Sequence, residues 1–386
     1  MTASAASAAP RRLLVRGVNW LGDAVMTTPA LQRLRAALPD SHLTLLTHQK
    51  LAELWQHHPS LDAVVTFAPG EGLGAVARRL RAQHYASALV LPNSPRSALE
   101  VWLAGIPQRI GYQRRWRNWL LTQTVAPRPN QARLPKRSVS EVKRLIRGAA
   151  DVPLPAAGTA QPGPFHQIHE YLHLTAALGA NPEPLAPRLE ITAAEAARTA
   201  AALLPDWRPG AAGAASGQPG VLLGLNPGAE YGPAKRWPAA NFGAVAREVS
   251  RKLPNCRWLV FGGPGERQLG DEIARLAGGG VLNLAGQTSL RQLMALLKLC
   301  RVVVTNDTGP MHVAAALGTP VVVPFGSTSP ELTGPGLAGD SGHRLLKSAA
   351  PCSPCFRRTC PIDFRCMTGI RPEHVVEAVL QLLAPR

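Results

Sequence analysis

The segment Gly17 to Ala24 (GVNWLGDA) has the glycine spacing of a nucleotide-phosphate loop but ends in Asp23, where such a loop carries Lys and then Ser or Thr. That lysine and hydroxyl hold phosphates and Mg²⁺. A carboxylate in their place repels phosphate. At the carboxyl end of a strand, where open α/β sheets bind ligands, it is instead placed to take a proton from a hydroxyl. Asp23 is therefore expected to act as a general base on an acceptor, although Asp is also a common helix cap at this kind of turn. The phosphates must be held elsewhere.

Two segments of the C-terminal half can hold them. Residues 301–325 read as a buried strand, a turn at Asn306 to Gly309, a short helix opened by Pro310 and closed by Gly318, and a second buried strand. The free N–H groups at that helix start form an anion site, so Thr308 and the N–H of Gly309 are the expected phosphate contacts. Asp307 would bond a donor-sugar hydroxyl or position a neighbouring lysine. The second segment, Asn226 to Pro238, follows the apolar run Val221 to Leu225. It holds Gly228 and the adjacent cations Lys235 and Arg236 ahead of a helix starting near Pro238. Lys235 is expected to screen a diphosphate in place of Mg²⁺. Glu266 follows a further strand end, as ribose-binding acids do, or is a first-turn helix carboxylate.

These motifs, Asn19 to Leu31, Pro227 to Pro238 and Thr305 to His312 followed by Phe325 to Pro330, resemble the bacterial heptosyltransferases of lipopolysaccharide core synthesis. The resemblance runs in order from about Leu13 to the C-terminus and is nearest to the heptosyltransferase II branch. It implies an inverting, metal-independent transfer with Asp23 as base. No cofactor is needed, and the donor is ADP-L-glycero-D-manno-heptose. The acceptor is the first heptose of an anionic lipid A–core precursor. Asn226, Gly228 and His312 would border the donor and Asn19 the acceptor, while His312 can also be read as a packed helix residue. The resemblance implies a GT-B architecture. Competing readings are heptosyltransferase I acting on the Kdo residue, a GT-B sugar-nucleotide epimerase releasing free sugar, and a non-catalytic sugar-binding or zinc-dependent interaction protein.

The elements that must position these residues are legible as alternation. Apolar strand-like runs at Leu13 to Val15, Leu43 to Leu46, Ala63 to Phe67 and Ala88 to Leu91 alternate with helical patterns. The alternation resumes from Val221 with Trp258 to Phe261, Val281 to Leu284, Val302 to Thr305 and Val321 to Pro324. This predicts an α/β protein of two doubly wound, Rossmann-like domains. The first is an acceptor domain over residues 1–164. A crossing helix, Phe165 to Leu178, and a linker occupy 165–220, and a nucleotide-sugar domain with a Cys-rich tail spans 221–386. Stretches rich in small residues at Ala149 to Pro164 and Pro205 to Gly220 mark the joints.

Charge is spread unevenly. Of a formal +18, residues 1–165 carry 21 Lys and Arg against 8 Asp and Glu, and the remainder 21 against 16. Nucleic-acid motifs are absent from the sequence, so the basic half fits an anionic glycolipid or membrane surface. Its densest run, Arg109 to Trp119, mixes aromatics with Arg114, Arg115 and Arg117, which are expected to meet the acceptor or to be solvated. Met1 to Pro10 lacks the basic start and apolar centre of a secretory signal, and no apolar run approaches the roughly 20 residues of a membrane helix. The expected location is cytoplasmic, peripheral on the inner face of the inner membrane. Cys352, Cys355, Cys360 and Cys366 could ligate a structural zinc or be reduced, packed thiols. His166, His169 and His173 share a helical face that a crossing helix explains without a metal.

Overall fold

Apolar runs bounded by turns become strands buried on both faces, which is why they read as nearly continuous hydrophobic segments. The computed structural model describes residues 11–129, 134–147, 158–207, 220–337, 339–340 and 342–384. Met1 to Pro10 and most of the loose stretches Ala149 to Pro164 and Pro205 to Gly220 lie outside them. The chain divides into two compact units, residues 1–131 with 167–185 and residues 132–166 with 186–386.

The first unit holds a six-stranded sheet of β1 (Arg12–Arg16), β2 (His42–His48), β3 (Ala63–Phe67), β4 (Ser87–Val90), β5 (Gln108–Tyr112) and β6 (Gln123–Val125). Every pairing is parallel and the order is β3-β2-β1-β4-β5-β6. Leu14, Leu46 and Val90 pack against Val76, Leu80 and Val101 of the helices Leu73–Arg81 and Pro95–Leu103. The order reverses between β1 and β4, and ligands of open α/β sheets bind outside the carboxyl ends at such a switch. The Gly17 to Asp23 loop follows β1, beside that point.

The second unit repeats the logic with β7 (Gly158–Ala160), β8 (Val221–Asn226), β9 (Cys256–Val260), β10 (Val281–Asn283), β11 (Val302–Thr305), β12 (Val321–Phe325) and β13 (Arg344–Lys347). The order is β10-β9-β8-β11-β12-β13-β7, parallel except for β7 against β13. Leu223, Leu225, Trp258, Val302 and Val304 pack against Phe242 and Val249 of the helix Ala239–Lys252 and Val375 and Val379 of Pro372–Leu383. Here the switch lies between β8 and β11. The loops after these two strands are the ones that carry Gly228, Lys235 and Asp307.

The units depart from the boundaries read off the sequence. Residues 132–164 belong with the second unit: Val142 of the helix Val139–Arg147 packs into its core, and β7 closes its sheet. The helix Ile168–Ala176 returns to the first unit, whereas 186–220 goes with the second. The chain thus passes between units more often than a single crossing helix requires.

Candidate active site

The loop after β1 is shaped by close packing and a buried ion pair. A Cβ at Gly17 would meet Leu45 Cδ1 at 3.0 Å and the Leu46 carbonyl oxygen at 3.2 Å, so glycine lets β1 end against β2. Trp20, in an extended conformation, opens the helix Leu21–Met26, placing Asp23 in its first turn rather than at the cap. The helix breaks at Thr27, whose hydroxyl donates to the Ala24 carbonyl, and a second helix, Thr28–Ala37, begins. The half-buried Asp23 carboxylate accepts a long hydrogen bond, 3.4 Å, from Gln167 Nε2, which also donates to the Tyr171 hydroxyl at 2.9 Å. Burial, reinforced by the Asp23 charge, pushes the Tyr171 phenol well above its ordinary range and keeps it neutral.

Beneath the loop, Arg16 and Glu100 form a fully buried ion pair at 2.7 Å. Arg16 Nη1 donates to the Gly17 carbonyl at 2.5 Å and to Asn19 Oδ1 at 3.0 Å, and its guanidinium lies 4.6 Å from the centre of the Phe67 ring. One buried cation thus holds both ends of the segment Gly17 to Asn19. No sequence motif marked Arg16, Glu100 or Gln167, because their partners lie 84 and 144 residues away along the chain.

In the second unit Lys235 Nζ lies 2.5 Å from Asp307 Oδ2, with the side chains only 13% and 5% exposed. Thr328 donates its hydroxyl to the same carboxylate oxygen. Of the two jobs open to Asp307, positioning Lys235 is the one this geometry performs. Asn306 fixes the two loops to each other, donating to the Pro227 carbonyl at 2.6 Å and accepting from Trp237 N at 3.0 Å. Thr308 precedes the helix Gly309–Ala316 without capping it through its side chain. The first-turn N–H groups there are those a phosphate would use.

Next to this helix start is a cavity of about 440 Å³ lined by Asn226, Gly228, Glu266, Thr288, Leu293 and Thr308 among others. Glu266 accepts from Gly263 N at 2.9 Å, and a Cβ at Gly228 would fall 2.0 Å from its Oε1. Gly228 is therefore required for that carboxylate to occupy the cavity wall. Asn226 is buried and donates to Thr305 Oγ1 at 3.2 Å, tying β8 to β11. The wall formed by Thr288, Leu290 and Leu293 was missed in the sequence, where Ser289 and Gln292 mark a capping box that the structure contains.

His312 is buried, and burial holds its imidazole down at about 3 despite the nearby Asp307 charge. It is neutral and packed behind the helix start. Arg236 is exposed, its closest bond being 3.5 Å to the Ala229 carbonyl.

The Cys-rich segment supports the lysine loop. The Arg358 carbonyl accepts from Ala234 N at 3.0 Å, the Phe356 carbonyl accepts from Tyr231 at 2.8 Å, and the Lys235 amine stands 5.0 Å from the centre of the Tyr231 ring. Gly232, at φ 145°, permits this approach, since a Cβ there would meet the Arg358 oxygen at 2.6 Å. Among the described residues no three Cys, His, Asp or Glu side chains form a metal-holding group. Cys352, Cys355 and Cys366 pack into the core with Trp237 and Met367, where burial pushes the Cys366 thiol up to about 12. His166 and His173 bond the carbonyls of Gly334 and Ala126, in different units.

Arg117 is not the exposed acceptor contact expected from the sequence. It is 0% exposed, with Nε donating to the Tyr112 carbonyl and Nη1 to that of Pro92, and burial brings it down to about 10. It fills space left by Gly111, where a Cβ would lie 2.5 Å from Nη2. It braces the loop after β5 and cannot meet an acceptor. Arg114 is half-buried and Arg115 exposed.

Residues 73–364 match the profile of glycosyltransferase family 9 (heptosyltransferase), a span that includes Lys235, Glu266 and Asp307 but begins after Asp23. The chain belongs to this family. It is 29% identical over 338 residues to lipopolysaccharide heptosyltransferase 2 of Escherichia coli strain K12, covering 84% of this chain and 85% of that protein. It is 30% identical over 337 residues to lipooligosaccharide heptosyltransferase 2 of Haemophilus ducreyi, covering 84% and 86%. The solved structure of the E. coli ADP-heptose LPS heptosyltransferase II matches with a TM-score of 0.71 at 26% identity, over 96% of this chain and 98% of that one. A family 9 glycosyl transferase from Veillonella parvula shares the fold at a TM-score of 0.75 and 22% identity, with 97% of both chains covered. The protein is a glycosyltransferase whose two Rossmann-like sheets are those of a GT-B enzyme. The epimerase and non-catalytic readings are not favoured.

Proposed function

We propose that this glycosyltransferase moves L-glycero-D-manno-heptose from ADP-heptose to the first heptose of the lipopolysaccharide inner core, with inversion and without a metal. The observation that carries the mechanism is the Lys235–Asp307 pair at the start of the helix Gly309–Ala316, beside the Glu266 cavity. Asp307 directs the ammonium, which keeps further N–H donors for phosphate oxygens. Thr308 and the Gly309 N–H take others, and Glu266 takes the ribose hydroxyls. Asp23 accepts the proton of the acceptor hydroxyl as its oxygen bonds to the anomeric carbon. The bond from that carbon to the diphosphate breaks, and the charge that develops on ADP falls on Lys235 and the helix start.

The choice of acceptor follows the names of the relatives similar over 84% of the chain. Asn19, Arg114 and Arg115, at the carboxyl edge of the first sheet, are assigned to the acceptor. Because a core precursor is anchored in lipid, the enzyme works on the cytoplasmic face of the inner membrane.

The test is a product assay with ADP-heptose, EDTA and two core acceptors, one ending in Kdo and one already carrying a heptose. Transfer to the heptosylated acceptor alone is expected. Transfer to the Kdo-terminated acceptor would make the enzyme a heptosyltransferase I, and loss of activity in EDTA restored by Mg²⁺ would overturn the metal-free step.

A further inference from the structure

Three tryptophans on the first unit are held out of its core. Trp102, in the last turn of the helix Pro95–Leu103, is 42% exposed; Trp119, in the turn before β6, is 69% exposed; and Trp116 is 76% exposed. The Trp102 and Trp119 rings meet edge to face at 5.9 Å, and Trp116 lies one short turn before Trp119. Because β5 and β6 are parallel, their connection starts at the carboxyl edge with Arg114 and Arg115 and must run back along the sheet to the start of β6.

The connection is braced rather than loose. Arg117 is buried beneath it, Arg109 donates to the Leu120 carbonyl at 2.7 Å, and Asn118 Oδ1 accepts from Arg114 N at 2.7 Å. Indoles kept in water by a braced scaffold form an exposed apolar patch of the kind that marks an interaction surface.

Charge identifies the partner. Residues 95–128 hold six arginines, of which Arg117 is buried and Arg96 and Arg128 are paired with Glu100 and Glu170, and one acid, Glu100, which is itself buried. The patch therefore presents indoles bordered by cations with no exposed carboxylate of its own segment. Tryptophan settles at the headgroup level of bilayers, and arginines beside an acidic surface add to binding in proportion to their number.

We infer that Trp102, Trp116 and Trp119, flanked by Arg114 and Arg115, are the surface through which this enzyme seats on an anionic phospholipid bilayer. The inference rests on and deepens the proposed use of a lipid-anchored acceptor, but the three indoles recognise the lipid matrix and not the glycan.

Its test separates the two. The full chain is sedimented with vesicles of phosphatidylcholine alone or with phosphatidylglycerol, both free of any core glycolipid. Transfer is assayed in parallel on a deacylated, water-soluble core acceptor. Wild type should partition onto the acidic vesicles, and brominated acyl chains should quench part of its tryptophan emission. The triple variant W102A/W116A/W119A should bind them at least about tenfold more weakly, losing that quenching, while its rate on the soluble acceptor stays within about twofold of wild type. Equal vesicle binding by variant and wild type, or wild-type binding only to vesicles doped with acceptor, would overturn the inference. A patch that instead binds the glycan or a protein partner would show as a lower rate on the soluble acceptor or as wild-type indifference to acidic vesicles, and either result refutes it. Failure of transfer by wild type would count against the proposed reaction, not against this surface.

Discussion

The loops at the switch points of the two sheets use one scaffold for opposite chemistry. After β1 the chain enters a six-residue helix with a carboxylate in its first turn, braced from below by a buried arginine and touched by an amide from Gln167. After β8 and β11 it presents an ammonium locked to a carboxylate, beside an eight-residue helix whose start carries no side-chain cap. The first arrangement can receive a proton and disfavours phosphate; the second favours phosphate and has its acid already engaged. Parallel α/β sheets fix where ligands sit, and the residue at the loop end decides which ligand that is.

The comparison is broken most severely at Asp23. Asp23→Asn removes the proposed proton acceptor and should lower turnover by roughly 10²-fold to 10⁴-fold, measured as ADP release with saturating substrates. A variant near wild-type turnover would remove Asp23 from the mechanism. On the other side, Lys235→Ala should cost about 10²-fold in kcat/KM for ADP-heptose, the scale of deleting one preorganised charge contact. If Mg²⁺ rescued that variant or EDTA inhibited wild type, a metal rather than the lysine would be screening the diphosphate.

The first loop is braced from below by the fully buried pair of Arg16 and Glu100. Glu100→Gln leaves the buried Arg16 charge unpaired and should destabilise the protein by about 3 kcal/mol, read by denaturant unfolding. A change below about 0.5 kcal/mol would mean that the pair is not buried as described.

Each unit also carries a buried neutral histidine. Burial holds His58 at about 4 and His312 at about 3, against 6.5 for a free imidazole. The unfolded chain takes up these protons below about pH 6.5 and the folded chain does not, so stability present above that pH is lost as pH falls toward 4 and 3. His58→Gln and His312→Gln should each flatten the fall of the melting temperature between pH 6.5 and 4.5, and an unchanged slope in both would contradict their burial.

The smallest effect is expected from Arg114→Ala with Arg115→Ala. The acceptor KM should rise a few-fold and lose salt dependence, since exposed charges are screened within about 8 Å at physiological ionic strength. The ADP-heptose KM should not change. An acceptor KM indifferent to both salt and the double substitution would return these arginines to ordinary solvated positions.

What was legible in the sequence were features with local signatures. Runs such as Leu13 to Val15 and Val302 to Thr305 became β1 and β11, and the turn at Asn306 to Gly309 opened its helix as expected. Thr308, Gly228 and Glu266 did come together around one cavity. What was not legible depended on distant partners. β7 sits in a Gly- and Pro-rich stretch and forms only against β13, and β5 and β6 carry too few apolar residues to stand out. Arg117 looked like its basic neighbours, but the missing side chain of Gly111 makes room to bury it. The cysteine spacing left a metal site and packed thiols open, and only the fold shows that three of those thiols lie in the apolar core.

The division of labour between the two loops is tested most directly by the affinity of ADP for wild type, Asp23→Asn and Lys235→Ala, measured by calorimetry in EDTA. The account predicts that Asp23→Asn binds ADP within about twofold of wild type, because its carboxylate serves the acceptor. Lys235→Ala should bind at least about tenfold more weakly, a loss of roughly 1.4 kcal/mol. Equal weakening in both variants, or weakening by Asp23→Asn alone, would contradict it.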